Sequence, residues 1–470
     1  MVHALLWPWL IAFFMVQALI GVWAARRVQT EDDFFVAGRS LGVPLLTFSL
    51  FATWFGAETC LGASGAVYTD GLSGARADPF GYAACLLLMG LLLAKRLRSG
   101  QFTTLGDLYR TRFGPAAERL AVLILVPSSL IWGAAQMRAF GQVIAATTEL
   151  DVSLAITVSA LLVVGYTFIG GLLGDIVTDF VQGGLLSIGL VLLALGIGRD
   201  LPPDLDLSAA LGATRISMLP VGESPWIQID RWAVPIFGSL IAQELIARVL
   251  AARSPAVARR ASVLASVLYI AIGLIPIGLG LIGPALLPDL AEPEQLLPTL
   301  ARTYLGTTMF IIFSCALLSA IMSTIDSILL SSSALLSHNV INPVFNIESP
   351  ARQLQVGRVI VVFAGLFAYV VALHASTIYD LVETASTFGT AGILVTTLAG
   401  LLVSRGDQRA AVAALITGLI VTPVASEVLR LPAPFLTSVA CAFVVYGVLA
   451  LWPRSHDEGP SPAAGTQENR

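Results

Sequence analysis

Charge is what this chain has least of. Asp, Glu, Lys and Arg make up 12% of its 470 residues, where soluble domains carry roughly 25%. A water-soluble enzyme of this length could not cover its surface with so few ions. Lysine is nearly missing, with Lys95 standing alone against 25 arginines. The four cysteines, Cys60, Cys85, Cys315 and Cys441, all fall inside apolar runs, so no extracellular disulfide framework is expected. His338 and His374 each stand alone in the sequence, and there is no His/Cys metal cluster, nucleophile motif or phosphate-binding loop. The chain therefore does not read as an enzyme. A net charge of −4 offers nothing for nucleic acid.

Apolar residues are abundant instead, at 56% of the chain, and the mean hydropathy is +0.85. The apolar runs are near twenty residues rather than alternating ten-residue strands, which indicates an all-α membrane protein. Thirteen runs are long enough to cross: 5–25, 43–68, 79–97, 117–145, 152–171, 174–198, 231–251, 261–283, 305–336, 354–374, 376–402, 410–428 and 433–452. The opening stretch has no basic start and is followed by Arg26 and Arg27, so it reads as a retained first span, not a secretory signal. With the N-terminus outside, 19 Lys and Arg fall on the inner side, including Arg248, against 6 on the outer side. That bias predicts N-terminus outside and C-terminus inside. No stretch between runs is long enough for a soluble domain, and the polar tail 453–470 reads as disordered and cytoplasmic. The chemistry is expected within the bilayer.

Ionisable residues at membrane depth mark function by default. Here they are Glu58, Arg138, Asp175, Asp179, Glu244, Asp326, Asp380, Glu383 and Glu427. The second run, TFSLFATWFGAETCLGASGAVY, carries Gly56, Gly62 and Gly65 around Glu58. Such a run suits an unwound helix whose free carbonyls line a cavity; close packing through small residues is the alternative. The seventh run places Pro235 and Gly238 before Gln243 and Glu244, five runs later. Interrupted helices at that spacing predict a five-plus-five inverted repeat, with repeats at 43–198 and 231–402. Residues 1–30 and 410–452 would then be peripheral helices. The ninth run puts Ala320, Ser323 and Thr324 on one face, continued by Ser327, with Asp326 adjacent. Hydroxyls beside mid-membrane carbonyls suit a hard monovalent cation, whereas bonding back to the i−4 carbonyl is the bland reading.

At these residues the sequence resembles the sodium/solute symporter family, which includes sodium/proline, sodium/glucose and high-affinity choline transporters. The likeness is carried by DFFVAGRSLG (33–42), the second run ending GASGAVY (62–68), YTFIGGLLGDIVTDFVQG (166–183) and SAIMSTIDSILLSSS (319–333). It implies a LeuT-type core, Na+ as the coupling ion and no organic cofactor. It also implies sodium ligands at the carbonyls of Ala52, Phe55 and Ala320 and the hydroxyls of Ser323 and Thr324. A second cation site or exit falls on Asp179, Asp326 and Ser327, together with Ser323. Trp54 and Trp132 match choline-transporter positions and can stack on a quaternary ammonium. The aromatic expected on the seventh run is replaced by Ala242, leaving that cage incomplete.

Glu58 and Arg138 are expected to face each other or to grip the two ends of a zwitterion. Gln243 completes the expected solute set. The function expected is sodium-coupled import of a small organic solute (an amino acid, a carboxylate or a betaine-like compound) by alternating access. A transporter-like sensor without flux and a proton-coupled symporter are the alternatives. The partners are solute, sodium ions and the lipid bilayer, with no nucleic acid and no obligate protein partner evident. The dominance of arginine over lysine points to a GC-rich bacterial genome and hence a multi-pass protein of an inner membrane.

Overall fold

A computed structural model describes residues 2–148, 150–201, 211–220, 222–375, 381–382, 385 and 388–452. Asp380, Glu383 and the tail 453–470 lie outside the described residues. The architecture is all-helical, with one isolated β-bridge, Leu41 to Ala252, among the described residues. Among the described residues, eight helices are long and apolar enough to cross a membrane, or nine with one bent pair. The four shorter apolar helices, Met15–Ala25, Val43–Ala52, Val152–Gly165 and Thr390–Leu402, fall on the first, second, fifth and eleventh runs. The protein is therefore a multi-pass membrane protein.

The interruptions fall where the composition placed them. The Val43–Ala52 helix ends before Glu58, and a turn over 53–56 leads into the π-helical Glu58–Ala63. In the seventh run, Pro225–Ile241 and Gln243–Leu250 meet at a 47° bend. Ala242, with φ −62° and ψ 126°, is the extended residue between them. The fifth and sixth runs form one continuous helical path, Val152–Arg199, hinged at Gly171 with φ +59°. A side chain there would strike Phe34, so glycine serves both the hinge and the close approach.

The Thr307–Val344 helix lies at the centre, with 83% of its apolar window buried. It packs on Val152–Arg199 and Pro115–Thr148. The last two helices pair with each other at the periphery, with 33% and 22% buried. Their outward faces carry exposed Ile416, Ile420, Phe443 and Val444, as lipid contact requires.

One end of the bundle is tied by polar groups. His338 does not stand alone as the sequence implied: it bridges Glu31 at 3.0 Å and Asp107 at 3.2 Å. Its neighbour Asn339 donates to Asp107 and Glu118, both at 2.9 Å. Thr30 with Asp33 and Thr104 with Asp107 form reciprocal N-terminal caps on the two short helices that enter this cluster.

Gly418 and Gly392 bring two helix backbones into contact; a Cβ on Gly418 would lie 2.2 Å from the Gly392 nitrogen. Gly418→Ala is expected to cost about 1–3 kcal/mol by overpacking, read as a lower melting temperature in detergent. Gly447→Ala, which meets nothing within 4 Å, should leave that temperature unchanged.

Candidate cation and solute sites at the broken helices

The broken second span lies directly against the ninth. Thr324 donates its hydroxyl to the Thr53 carbonyl at 3.1 Å and to the Ala320 carbonyl at 3.3 Å. Gly56 approaches so closely that a Cβ would lie 3.2 Å from the Ala320 oxygen. Ala52, Phe55, Ala320, Ser323 and Thr324 are all buried around this seam. A main-chain carbonyl of the interrupted helix, the Ala320 carbonyl and the Thr324 hydroxyl thus meet away from water. Neutral oxygens of this kind suit a small monovalent cation.

Beneath the seam sits a residue the charge count had assigned to a loop. Arg248 does not belong to the inner-side tally; its side chain is fully buried. It follows the break at Ala242 on the Gln243–Leu250 helix, whose short length turns it into the core. Its guanidinium donates to Asp175 at 2.9 Å and Asp179 at 2.8 Å. It also donates to Ser49 Oγ at 2.8 Å, Ser327 Oγ at 2.6 Å and the Glu244 carbonyl at 3.2 Å. Asp179 in turn accepts from Ser49 at 2.7 Å and from Ser323. A guanidinium therefore already supplies positive charge to Asp179 and Ser327. Asp326 does not join them. It accepts from Thr167 at 2.6 Å and faces a cleft with Gly170, Gly174 and Asp175.

Above the seam lies an aromatic cluster. The Trp54 and Tyr82 rings are 5.1 Å apart, and Trp54 Nε1 donates to Glu244 at 3.4 Å. Trp132 Nε1 donates to Glu58 at 2.5 Å. The Glu58–Arg138 pairing expected from the sequence does not form: Arg138 donates to the Ala372 carbonyl at 3.1 Å. Arg138 lies two turns along its helix from Trp132, which carries it away from the carboxylate. Gln243 is also committed elsewhere, accepting from the Leu105 backbone N–H at 3.0 Å. It thereby serves a buried donor that has no intrahelical partner at the start of the Leu105–Arg112 helix.

The sequence profile of the sodium:solute symporter family matches residues 34–418. The chain belongs to the sodium:solute symporter family. It is similar to high affinity choline transporter 1 of Homo sapiens, at 27% identity over 437 residues, covering 87% of this chain and 75% of that protein. It is 28% identical over 408 residues to the sodium/proline symporter of Haemophilus influenzae, covering 79% of each. A solved structure of a Na+-coupled sialic acid symporter, substrate-bound and outward-open, superposes with a TM-score of 0.82 at 19% identity. That match covers 96% of this chain and 98% of the other, and it establishes a LeuT-like fold. The chain is accordingly a transport protein and not an enzyme.

Within this symporter the hydroxyls of the ninth span divide into two groups. Ser331, Ser333 and Ser337 bond back along their own helix, to Ile328, Leu329 and Ser333 carbonyls. Ser323, Thr324 and Ser327 reach other segments. Both readings of the Ser/Thr pattern are thus realised, and Thr324 and Ser327 combine them by bonding back to the Ala320 and Ser323 carbonyls as well. Tyr82 and Arg248 were missed as site residues. Tyr82 follows Pro79 in an apolar run that reads as packing, and Arg248 lies near three other arginines that do mark a loop.

Arg248→Met leaves Asp175 and Asp179 buried without their cation. It is expected to cost about 3–5 kcal/mol of stability, measured by unfolding in detergent. Adding Asp175→Asn should recover part of that loss, because one of the stranded charges is removed.

Proposed function

We propose that this chain is a sodium-coupled secondary active symporter that imports a small organic solute with a cationic head. The observation that carries the solute class is the Glu58 carboxylate held under Trp132, beside Trp54 and Tyr82. Aromatic faces and a carboxylate attract a cation twice over, by quadrupole and by charge. Of the solute classes open from the sequence, a betaine-like or ammonium head fits this lining better than a simple carboxylate.

In this reading sodium binds the carbonyls of Ala52, Phe55 and Ala320 and the hydroxyls of Ser323 and Thr324. Its charge pins the interrupted second span against the ninth, and so shapes the wall that carries Trp54 and Glu58. Solute then binds between the second and seventh spans, and the bundle rocks about them. Asp179, one hydrogen bond from Ser323, offers sodium an exit. Asp326 and Ser327 flank that path, and Arg138 and Gln243 act at the margin of the solute site. The thirteen-span topology with N-terminus outside, the repeats at 43–198 and 231–402 and an inner-membrane location complete the reading. A membrane potential of 100 mV contributes about 2.3 kcal/mol per sodium charge. Linkage requires sodium and solute to raise each other's affinity by the same factor.

Thermal unfolding of the purified protein in Na+ and in K+ tests the proposal. Sodium at one hundred times its dissociation constant should add about 2.7 kcal/mol, and K+ should not. Ser323→Ala and Thr324→Ala should each raise the half-saturating sodium concentration at least tenfold. Equal stabilisation in both salts, unchanged by either substitution, would overturn sodium coupling at this seam.

A further inference from the structure

Three carboxylates around the aromatic cluster each hold one oxygen that is buried and has no partner: Glu58 Oε2, Asp78 Oδ1 and Glu244 Oε2. Their other oxygens are used. Glu58 accepts from Trp132 at 2.5 Å and is also reached by the Tyr82 hydroxyl, and Glu244 accepts from Trp54 at 3.4 Å. Asp78 accepts from Thr59 at 2.6 Å and from Tyr269 at 3.1 Å. Asp78 and Glu244 are 4% and 2% exposed, so bulk solvent does not reach them. Buried acceptors of this kind are rarely left unserved, and buried charges are ordinarily paired.

No basic side chain forms an ion pair with any of the three among the described residues. The nearby arginines are engaged elsewhere, Arg76 with Glu223 and Arg248 with Asp175 and Asp179. The positions are also ordered. Glu58 lies within electrostatic reach of both Glu244 and Asp78. The aromatic floor runs the same way, from Trp54 through Tyr82 to Tyr269, with ring centroids 5.1 and 6.4 Å apart. Two carboxyl-lined poles thus share Glu58 and are joined by aromatic faces.

We propose that the transported solute is a small organic dication whose nitrogens carry N–H donors, of the short diamine class. This rests on the cationic-solute reading above and narrows it. One ammonium lies between Glu244 and Glu58 over Trp54, and the other lies at Asp78 beside Thr59. A quaternary ammonium satisfies the charge but has no N–H to give, so it leaves all three oxygens unserved. A monoamine serves one pole only.

The test is binding to the purified full-length protein in Na+, read by thermal shift, with 1,4-diaminobutane, butylamine, tetramethylammonium and proline as probes. The diamine should bind at least tenfold more tightly than butylamine or tetramethylammonium. Asp78→Asn, which can still accept from Thr59 and Tyr269, should weaken the diamine at least tenfold and butylamine far less. The sodium-induced shift reports that the variant is folded. Tetramethylammonium or butylamine binding as tightly as the diamine would overturn the dication while leaving the cationic head in place. Binding of proline alone would overturn both readings, and silence of the diamine in wild-type protein that still responds to Na+ would overturn the dication.

Discussion

The Arg248 guanidinium, buried among Asp175, Asp179, Ser49 and Ser327, is the constraint around which the core is arranged. These partners come from the second, sixth and ninth spans, and the arginine itself from the broken seventh. Removing the guanidinium strands two carboxylates in a medium that cannot solvate them. The arrangement also fixes the neighbours. Asp179 is held where Ser323 can reach it, and Ser323 sits one turn below the carbonyl of Ala320. The candidate cation seam and the charged cluster are therefore parts of one hydrogen-bonded structure.

The same arginine links the two candidate sites. It donates to the backbone of Glu244, whose side chain accepts from Trp54 on the second span. Sodium at the seam and solute at the aromatic cluster would thus both act on the interrupted second span. Interruption is what makes this possible. A continuous helix spends its carbonyls on itself, whereas the break at 53–56 leaves the Thr53 carbonyl to accept from Thr324 of the ninth span. The polar tie of Glu31, Asp107, Glu118, His338 and Asn339 closes one end of the bundle.

How much was legible follows from the range of each signal. Membrane residence, the helical class and both interruptions are local matters of hydropathy, glycine and proline, and they were read from the residues alone. The family was read from four motifs whose spacing is a property of the chain. The seam between Gly56 and Ala320 was implied by that resemblance, and the structure brings those segments into contact. The hydroxyl-rich ninth span could not be divided into back-bonding and outward-reaching groups, because both use the same residue types at helical spacing.

What only the tertiary structure decided is the partner of each buried charge. Composition marks Glu58, Arg138 and Asp326 as costly within a membrane protein, but it does not say what each one meets. Arg248 read as a loop cation because its run is followed by Arg253, Arg259 and Arg260; the bend at Ala242 turns it inward instead. Glu58 and Arg138 were candidates to meet as opposite charges, and helix geometry sends them to Trp132 and Ala372. Asp78 and Tyr82 enter the solute region through packing across more than one span. Pairing of ions depends on which helix faces lie within about 3 Å of one another, and that distance is set by the assembled bundle, not by the order of residues along the chain.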